Sequence, residues 1–218
     1  TRRSDNGVVQ SFDAQGRLAR VADKNGNFMT MNYAAPRKVL IQDNFNRRIT
    51  LLFNEQGKVA KVVGDGNKTA EYRYTGPDLT YSKDSEGNVY EYKYSANGRH
   101  NLVEIKYADK TNLQVGFFDL NKCENVKWVK DRDGSLTEYD YGGDCAAGFE
   151  HSTSVAVKGV DGKSISKSKY EYIEKNKLDG ERYTYKLSSE IDGEKTETVY
   201  NECCALPLEI TRNGEKTT

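Results

Sequence analysis

The sequence lacks the segments from which helical or multidomain proteins are built. It contains no amphipathic stretch of ten residues with helical spacing, and no apolar run approaches the ~18 residues of a membrane-spanning helix. It has three prolines and no Pro- or Ser-rich linker. The 33 basic side chains are balanced by 33 acidic ones, so no general electrostatic grip on nucleic acid is expected. These absences predict a single domain over residues 1–218, with neither a membrane span nor a nucleic-acid partner.

Catalytic and metal-binding motifs are also scarce. The two histidines, His100 and His151, stand outside any recognisable motif, and no CxxC or HxxxH spacing is present. The acidic stretches 23–27 and 131–134 lack the further oxygen ligands and the distal Glu of a calcium loop. There is no Gly-x-Ser-x-Gly elbow and no phosphate-binding loop. We therefore expect neither a cofactor nor a metal and predict that the protein is not an enzyme, with a carboxylate hydrolase as a remaining alternative.

What the sequence has in abundance is alternation. The stretch 90–99 reads Tyr-Glu-Tyr-Lys-Tyr-Ser-Ala-Asn-Gly-Arg, with rings at every second position and charges between them. Along a strand such rings face one side and the charges the other. Asn-Gly follows at once, and it is a strong hairpin signal because both residues tolerate positive φ. The stretch predicts one strand and the turn into the next.

The same phrase recurs along the chain. Turn signals lie close to ten residues apart from Gly16 to Gly98, separated by alternating segments rich in Tyr, Val, Thr and Phe. Strands joined by tight turns must run antiparallel. The predicted fold is all-β, an antiparallel meander of consecutive hairpins in an open, curved sheet with about twenty residues per repeat. Glycines expected at structural turns are Gly16, Gly57, Gly98 and Gly134.

One phrase resembles the signature of the Rhs (YD-repeat) family, which is an aromatic residue, Asp, two variable residues and Gly-Arg-Leu. It is 12–18, Phe-Asp-Ala-Gln-Gly-Arg-Leu, and weaker copies stand at 53–59 and 94–100. The stretch 204–214 resembles the Leu-Pro phrase that precedes a strand in many members. In such a motif the Gly takes the left-handed turn position and the Asp bonds the turn amides.

The resemblance implies a function. Rhs-type hairpins coil into a hollow shell that encloses a toxin in bacterial systems or serves as a cell-surface body. The chain is then expected to be a piece of a longer exported polypeptide, truncated at both ends and located in the periplasm, at the cell surface or outside the cell. Its expected partners are the rest of that polypeptide and an enclosed toxin domain or a surface glycan. Exposed sheet edges also make self-association an expectation.

Aromatic residues suggest two readings. Rows of rings that face inward would be structural, through cross-strand pairs worth ~0.2–1 kcal/mol each, whereas exposed rows would form a platform for sugar rings. Recurrence at every repeat favours structure, and a carbohydrate-binding or adhesion module is the alternative. The residues expected in rows are Tyr72, Tyr74, Tyr90, Tyr92, Tyr94, Trp128, Tyr139 and Tyr141.

Four cysteines leave their pairing open. Cys123 and Cys145 flank the predicted hairpin that turns at Gly134 and stand nearly opposite each other, which suits a disulfide. The adjacent Cys203 and Cys204 either form a vicinal ring or pair elsewhere. Four cysteines allow three connectivities, and the sequence does not select one.

Overall fold

The computed structural model describes residues 1–120, 123–143 and 148–217. The described residues form twenty strands and one short 3-10 helix, Asp65–Asn67. The all-β antiparallel meander predicted from the sequence is confirmed. The first ten strands are β1 (Arg2–Arg3), β2 (Val9–Phe12), β3 (Leu18–Ala22), β4 (Phe28–Ala35), β5 (Lys38–Asp43), β6 (Arg48–Phe53), β7 (Val59–Val63), β8 (Thr69–Thr75), β9 (Asp78–Lys83) and β10 (Val89–Tyr94). The second ten are β11 (Leu102–Lys106), β12 (Asn112–Phe117), β13 (Val126–Lys130), β14 (Leu136–Gly142), β15 (Glu150–Lys158), β16 (Ser164–Asn176), β17 (Arg182–Ile191), β18 (Glu194–Tyr200), β19 (Pro207–Arg212) and β20 (Glu215–Thr217).

The chain divides into two compact units. The N-terminal unit comprises Thr1–His100 and Lys106–Lys110, and the C-terminal unit comprises Asn101–Ile105 and Thr111–Thr218. In the first, every strand from β1 to β10 pairs antiparallel with the next. In the second, the same holds from β12 to β20. A single repeat segment over 1–218 stays a prediction.

Neither unit is built around an enclosed core. Val39, at 9% exposed, is the only buried hydrophobic residue of the described part, and no side chain there is wholly enclosed. The buried polar residues are Ser82 and Ser188, which lie on strands rather than in a cavity. The fold is therefore stabilised by main-chain ladders and by contacts between side chains on neighbouring strands, not by packing between layers.

Nine five-residue loops in the described residues share one hydrogen-bond pattern. The first residue's N–H donates to the carbonyl of the fifth, and the fourth residue's N–H donates back to the carbonyl of the first. This is the three-residue hairpin loop, a type I turn followed by one left-handed residue. The loops span residues 4–8, 13–17, 23–27, 43–47, 54–58, 84–88, 131–135, 159–163 and 177–181.

The left-handed position of these loops explains the glycine pattern. Gly16, Gly57 and Gly134 occupy it with φ of 76°, 76° and 89°, and in the loop 43–47 Asn46 takes its place with φ of 65°. Gly98 also has positive φ, 75°, in a different turn before β11. A residue with a Cβ is disfavoured here, and Asn is the side chain that tolerates the position best.

Two further hairpins use two-residue loops. Asp192-Gly193 and Asn213-Gly214 have positive φ at both residues, as the type I′ turn requires. Asn213 also extends the sheet with its side chain. Its Oδ1 accepts the Lys195 main-chain N–H at 2.8 Å, while the Asn213 main-chain N–H donates to the Lys195 carbonyl at 2.9 Å. Turn side chains thus replace main-chain partners where a ladder ends.

Candidate functional site

The repeat is longer than the sequence reading suggested. Phe53 to Val59 lies 41 residues after Phe12 to Leu18, and the weaker copy that begins at Tyr94 follows after another 41. Four strands, β3 to β6, lie between the first two copies. The predicted unit of about twenty residues is therefore half of the true structural repeat, which contains two hairpins.

In the first two copies the residue after the aromatic, Asp13 or Asn54, holds the loop. Asp13 Oδ1 accepts the N–H groups of Gln15 at 3.0 Å and Arg17 at 2.8 Å. In the second copy, Asn54 Oδ1 accepts two N–H groups at the same offsets, at 3.0 and 2.9 Å. This is the role that the motif predicts for its Asp. A side chain with one well-placed oxygen, whether Asp or Asn, performs it.

In the first two copies a tyrosine on the second strand after the aromatic residue contacts the end of the motif. The Tyr33 hydroxyl donates to the Leu18 carbonyl at 2.9 Å, and the Arg17 guanidinium lies 4.3 Å from the centre of the Tyr33 ring. In the second copy Tyr74 donates to Val59 at 2.9 Å, with Lys58 Nζ 4.9 Å from the ring centre. Cation–π contacts of this kind contribute about 0.5–1 kcal/mol at exposed sites. The Gly-Arg-Leu tail of the motif thus binds the ring and the hydroxyl of one tyrosine.

The tyrosines predicted in rows occupy alternate strands of the N-terminal unit. Tyr72 of β8 and Tyr90 of β10 both stand opposite Ser82 of β9. Ser82 is only 9% exposed, and its hydroxyl lies 2.9 Å from that of Tyr92. Rings two strands apart are about 9.6 Å from each other, which is too far for them to stack. They instead flank and cover the small residue on the strand between them. Tyr94 is half-buried, as are Tyr90 and Tyr92.

The C-terminal unit repeats this arrangement. Tyr141 of β14 and Tyr170 of β16 both stand opposite Thr153 of β15. Beside them the His151 ring stacks on Tyr172 with centroids 4.8 Å apart and planes 12° apart. Tyr139 stands opposite Val155 on the same face. Rings separated by a small side chain are thus common to both units.

Trp128 lies on the other face of the C-terminal unit. It stands opposite Gly116 on one side and Glu138 on the other, whereas Tyr139 and Tyr141 alternate with Glu138. The indole lies over Gly116, where an added Cβ would overlap it. The structure therefore does not bring Trp128 together with the two tyrosines.

The faces opposite the tyrosines carry ion pairs. Lys61 and Glu71 are directly opposed on β7 and β8, with Nζ and Oε1 3.3 Å apart. In the C-terminal unit Glu197 Oε1 lies 3.0 Å from Lys186 Nζ and 3.2 Å from Lys195 Nζ. Hydrogen bonds from these lysines hold the pKa of Glu197 below its ordinary range. In each unit this face therefore carries charged side chains of both signs.

Burial and local hydrogen bonds shift several other pKa values. Burial raises the pKa of Tyr74, Tyr94 and Tyr141, with the Asp78 carboxylate adding to the effect at Tyr94. A hydrogen bond from the Asn88 side chain lowers the pKa of Asp84, together with the turn amides. The groups with these shifted pKa values lie at contacts that recur along the described residues, and they are not gathered in one cleft.

The depressions on the surface are open. Those of the C-terminal unit have volumes of about 570 and 440 Å³, and one in the N-terminal unit, beside Tyr33, about 400 Å³. The depression of about 570 Å³ is lined by the small residues Ser154 and Ala156 together with acidic and basic side chains. Among the residues that the structure describes, no group of three or more His, Cys, Asp or Glu side chains is placed to hold a metal ion.

The structure gives the pairing of two of the four cysteines. Cys203 and Cys204 are bonded to each other as a vicinal disulfide. The predicted Cys123–Cys145 pair stays a prediction, because Cys145 lies outside the described residues.

Comparison with known proteins shows a shared fold. No protein-family model and no curated protein matches the chain. Solved structures do: a crystal structure of TcdB2–TccC3–Cdc42 matches with a TM-score of 0.55 and 12% identity over 96% of this chain. The Photorhabdus luminescens Tc holotoxin pore with a TccC3-D651A mutation matches with 0.52 and 11% over 96%, and TcdB2–TccC3–TEV with 0.52 and 11% over 93%.

At 11–12% identity, these likenesses show a shared fold alone. The chain spans 13% of the length of each of the three toxin chains. No helix of the described residues is both long and apolar enough to cross a membrane.

Proposed function

We propose that the chain is a non-catalytic structural module of an exported bacterial Rhs-type protein, forming part of a curved wall that encloses or displays a toxin or other effector domain. The observation that carries this proposal is a hairpin meander without an enclosed core, in which Val39 is the only buried hydrophobic residue described. Its likeness to segments of Tc toxin chains supports the same reading.

The mechanism proposed is mechanical. Side-chain-capped loops such as 13–17 and 54–58 fix hairpins locally, and the Tyr33–Leu18 and Tyr74–Val59 bonds tie β4 to β3 and β8 to β7. Because the strands from β1 to β10, and those from β12 to β20, pair with their sequence neighbours, the ladder within each unit extends without crossover connections. A wall made in this way needs no second layer to cover it, and its two faces remain available to a cargo on one side and solvent on the other.

The contacts also support a non-catalytic role. The perturbed carboxylates Asp23 and Asp84 bond turn amides, and Glu197 is held between two lysines. A catalytic acid or base needs a pKa tuned toward its working pH and a group free to meet substrate. These carboxylates are shifted the other way and are engaged by the fold.

Protease protection of the complete encoded polypeptide tests the proposal. We expect an effector segment elsewhere in that polypeptide to resist limited proteolysis, and to become cleavable when Tyr33→Ala and Tyr74→Ala together weaken the wall. The matched control is Tyr72→Phe, which removes only a hydroxyl. Enclosure would be contradicted if every segment outside these 218 residues were cleaved at the same rate in the parent polypeptide and in the Tyr33→Ala/Tyr74→Ala variant.

Carbohydrate binding is the second candidate, and the half-buried rings of Tyr90, Tyr92 and Tyr94 favour it because one flank of each faces solvent. Glycan-array or calorimetric binding by the 218-residue chain tests it. Saturable sugar binding that is lost in Tyr92→Ala, with the circular dichroism spectrum unchanged, would favour this function over the scaffold.

A further inference from the structure

The vicinal disulfide lies where a soluble thiol can reach it. Cys203 and Cys204 are adjacent in sequence, bonded to each other, and both exposed in the loop between β18 and β19. Thiol–disulfide exchange requires an attacking thiolate to approach one sulfur, so access controls the rate. Exposed disulfides are the class that is reduced most readily.

This bond is not placed to act as a structural cross-link. A disulfide stabilises a fold mainly by restricting the unfolded chain, and the effect grows with the number of residues enclosed. Here the sequence separation is one, so no residue is enclosed between the two cysteines. Reducing it should leave the global stability almost unchanged.

The loop that carries the disulfide also contacts the neighbouring hairpin. Asn201 Oδ1 accepts the N–H groups of Cys204 at 3.2 Å and Leu206 at 3.0 Å, which fixes the loop around the ring. Next to Cys203, Glu202 Oε1 accepts the Leu178 N–H at 2.9 Å, in the loop 177–181 between β16 and β17. Opening the ring removes a restraint on the residue beside Glu202.

We propose that Cys203–Cys204 is a redox-active site whose reduction by a dithiol creates a vicinal dithiol and releases the contact between Glu202 and Leu178. The incoming thiolate attacks one protein sulfur to give a mixed disulfide and releases the other protein thiolate. The reductant's second thiol then attacks its own sulfur in the mixed disulfide and releases the remaining protein thiolate. The protein sulfurs gain two electrons and two protons, and the reductant becomes a disulfide.

The reduced pair has a definite ligand chemistry. Two adjacent thiols bind a trivalent arsenic centre through two As–S bonds, and phenylarsine oxide loses its oxygen as water when both thiols condense with it. Soft thiolate pairs favour such soft centres over hard cations. The oxidised ring has no thiol to offer and should not bind the arsenical.

The test uses the 218-residue chain purified without reductant, then treated with increasing dithiothreitol and analysed by differential alkylation and peptide mass. We expect Cys203 and Cys204 to be bonded to each other at the start and reduced under native conditions. One equivalent of phenylarsine oxide should bind after reduction and be lost in Cys203→Ser/Cys204→Ser. A Cys123→Ser/Cys145→Ser variant, which removes the other predicted pair, is the matched control and should retain that equivalent.

Hydrogen exchange tests whether reducing the disulfide weakens the contact between Glu202 and Leu178. Reduction should speed exchange of the Leu178 amide by about fivefold or more, as loss of one charge-assisted hydrogen bond would do, and shift the thermal midpoint by no more than about 3 °C. Glu202→Gln gives a comparison with the carboxylate charge removed. Free thiols at positions 203 and 204 in the untreated protein, reduction only under denaturing conditions, or a Leu178 amide insensitive to reduction would each overturn the proposal.

Discussion

The Tyr74 hydroxyl donates a hydrogen bond to the Val59 carbonyl, 2.9 Å away and fifteen residues earlier in the chain. The same bond joins Tyr33 to Leu18 at the same separation, and each ring is also covered by the basic residue that precedes its acceptor. A contact repeated 41 residues apart is a property of the repeat and not of one place. It ties β4 to β3 and β8 to β7, in a unit that has no enclosed core to hold its strands together.

Removing that hydroxyl should weaken the fold measurably. Tyr74→Phe keeps the ring over Lys58 but leaves the half-buried Val59 carbonyl without its donor, and we expect a loss of about 1 kcal/mol in unfolding free energy. Urea denaturation followed by circular dichroism measures it. Tyr72→Phe is the control on the same strand, because its hydroxyl has no hydrogen-bond partner among the described residues; equal losses in the two variants would contradict the account.

The turn glycines should tolerate Asn better than other side chains. A Cβ at Gly57 would meet no atom within 4 Å, so the cost of Gly57→Ala is the left-handed backbone alone, about 1–2 kcal/mol. Gly57→Asn should cost less, because Asn46 already occupies the equivalent position of another loop. Comparing the thermal midpoints of the two variants checks this order, and a more stable Ala variant would refute it.

The capped loops should make stability depend on acid pH. The Asn27 and Asn88 side chains, with turn amides, hold the pKa of Asp23 and Asp84 below the ordinary value of about 3.9. Since each folded-state pKa is lowered, the unfolded chain takes up protons first as pH falls. The stabilisation is present above about pH 4 and lost as pH falls through the folded-state values.

Urea midpoints measured from pH 6 down to pH 3 should therefore decrease, and Asp84→Asn should flatten part of that decrease. The Asn variant keeps an Oδ1 for the Glu86 and Asn88 amides, as Asn54 does in its own loop. Asp84→Ala loses both bonds and should melt lower than Asp84→Asn at pH 7. A pH profile identical in the parent chain and Asp84→Asn would count against the assignment.

The only tryptophan reports on the charged face of the C-terminal unit. Gly116→Ala would place a methyl group where the Trp128 indole now lies, so the ring must move. We expect a shift in the Trp128 emission maximum and a loss of about 1–3 kcal/mol from the displaced packing. Gly142→Ala is the matched control, since the nearest atom to its Cβ is the rotatable Ser152 hydroxyl at 2.6 Å; unchanged emission in Gly116→Ala would be the contrary result.

Much of the fold was predictable from local chemistry. The alternation in 90–94 and the glycines at 16, 57 and 134 follow from rules that act within a few residues, so strand direction and turn position could be inferred. The role of Asp13 in bonding its own loop could also be predicted, because both partners lie within four residues.

What remained hidden depends on which strands become neighbours. The Tyr33–Leu18 bond joins residues fifteen positions apart, and β4, which carries Tyr33, has a bulge in its pairing with β5. No local sequence signal marks Tyr33 as the donor. The 41-residue spacing of Asp13 and Asn54 was present in the sequence and would have located the repeat. Residue type alone places Trp128 with Tyr139, whereas the face that Trp128 occupies is decided by the register between β13 and β14.

The most direct measurement of the central claim is a cryo-electron microscopy map of the complete polypeptide that contains these 218 residues. The account predicts that the hairpins form one stretch of a thin wall around an internal space that holds another part of the same polypeptide. A map in which these strands pack into a solid globule, or stand apart from any enclosed domain, would contradict it.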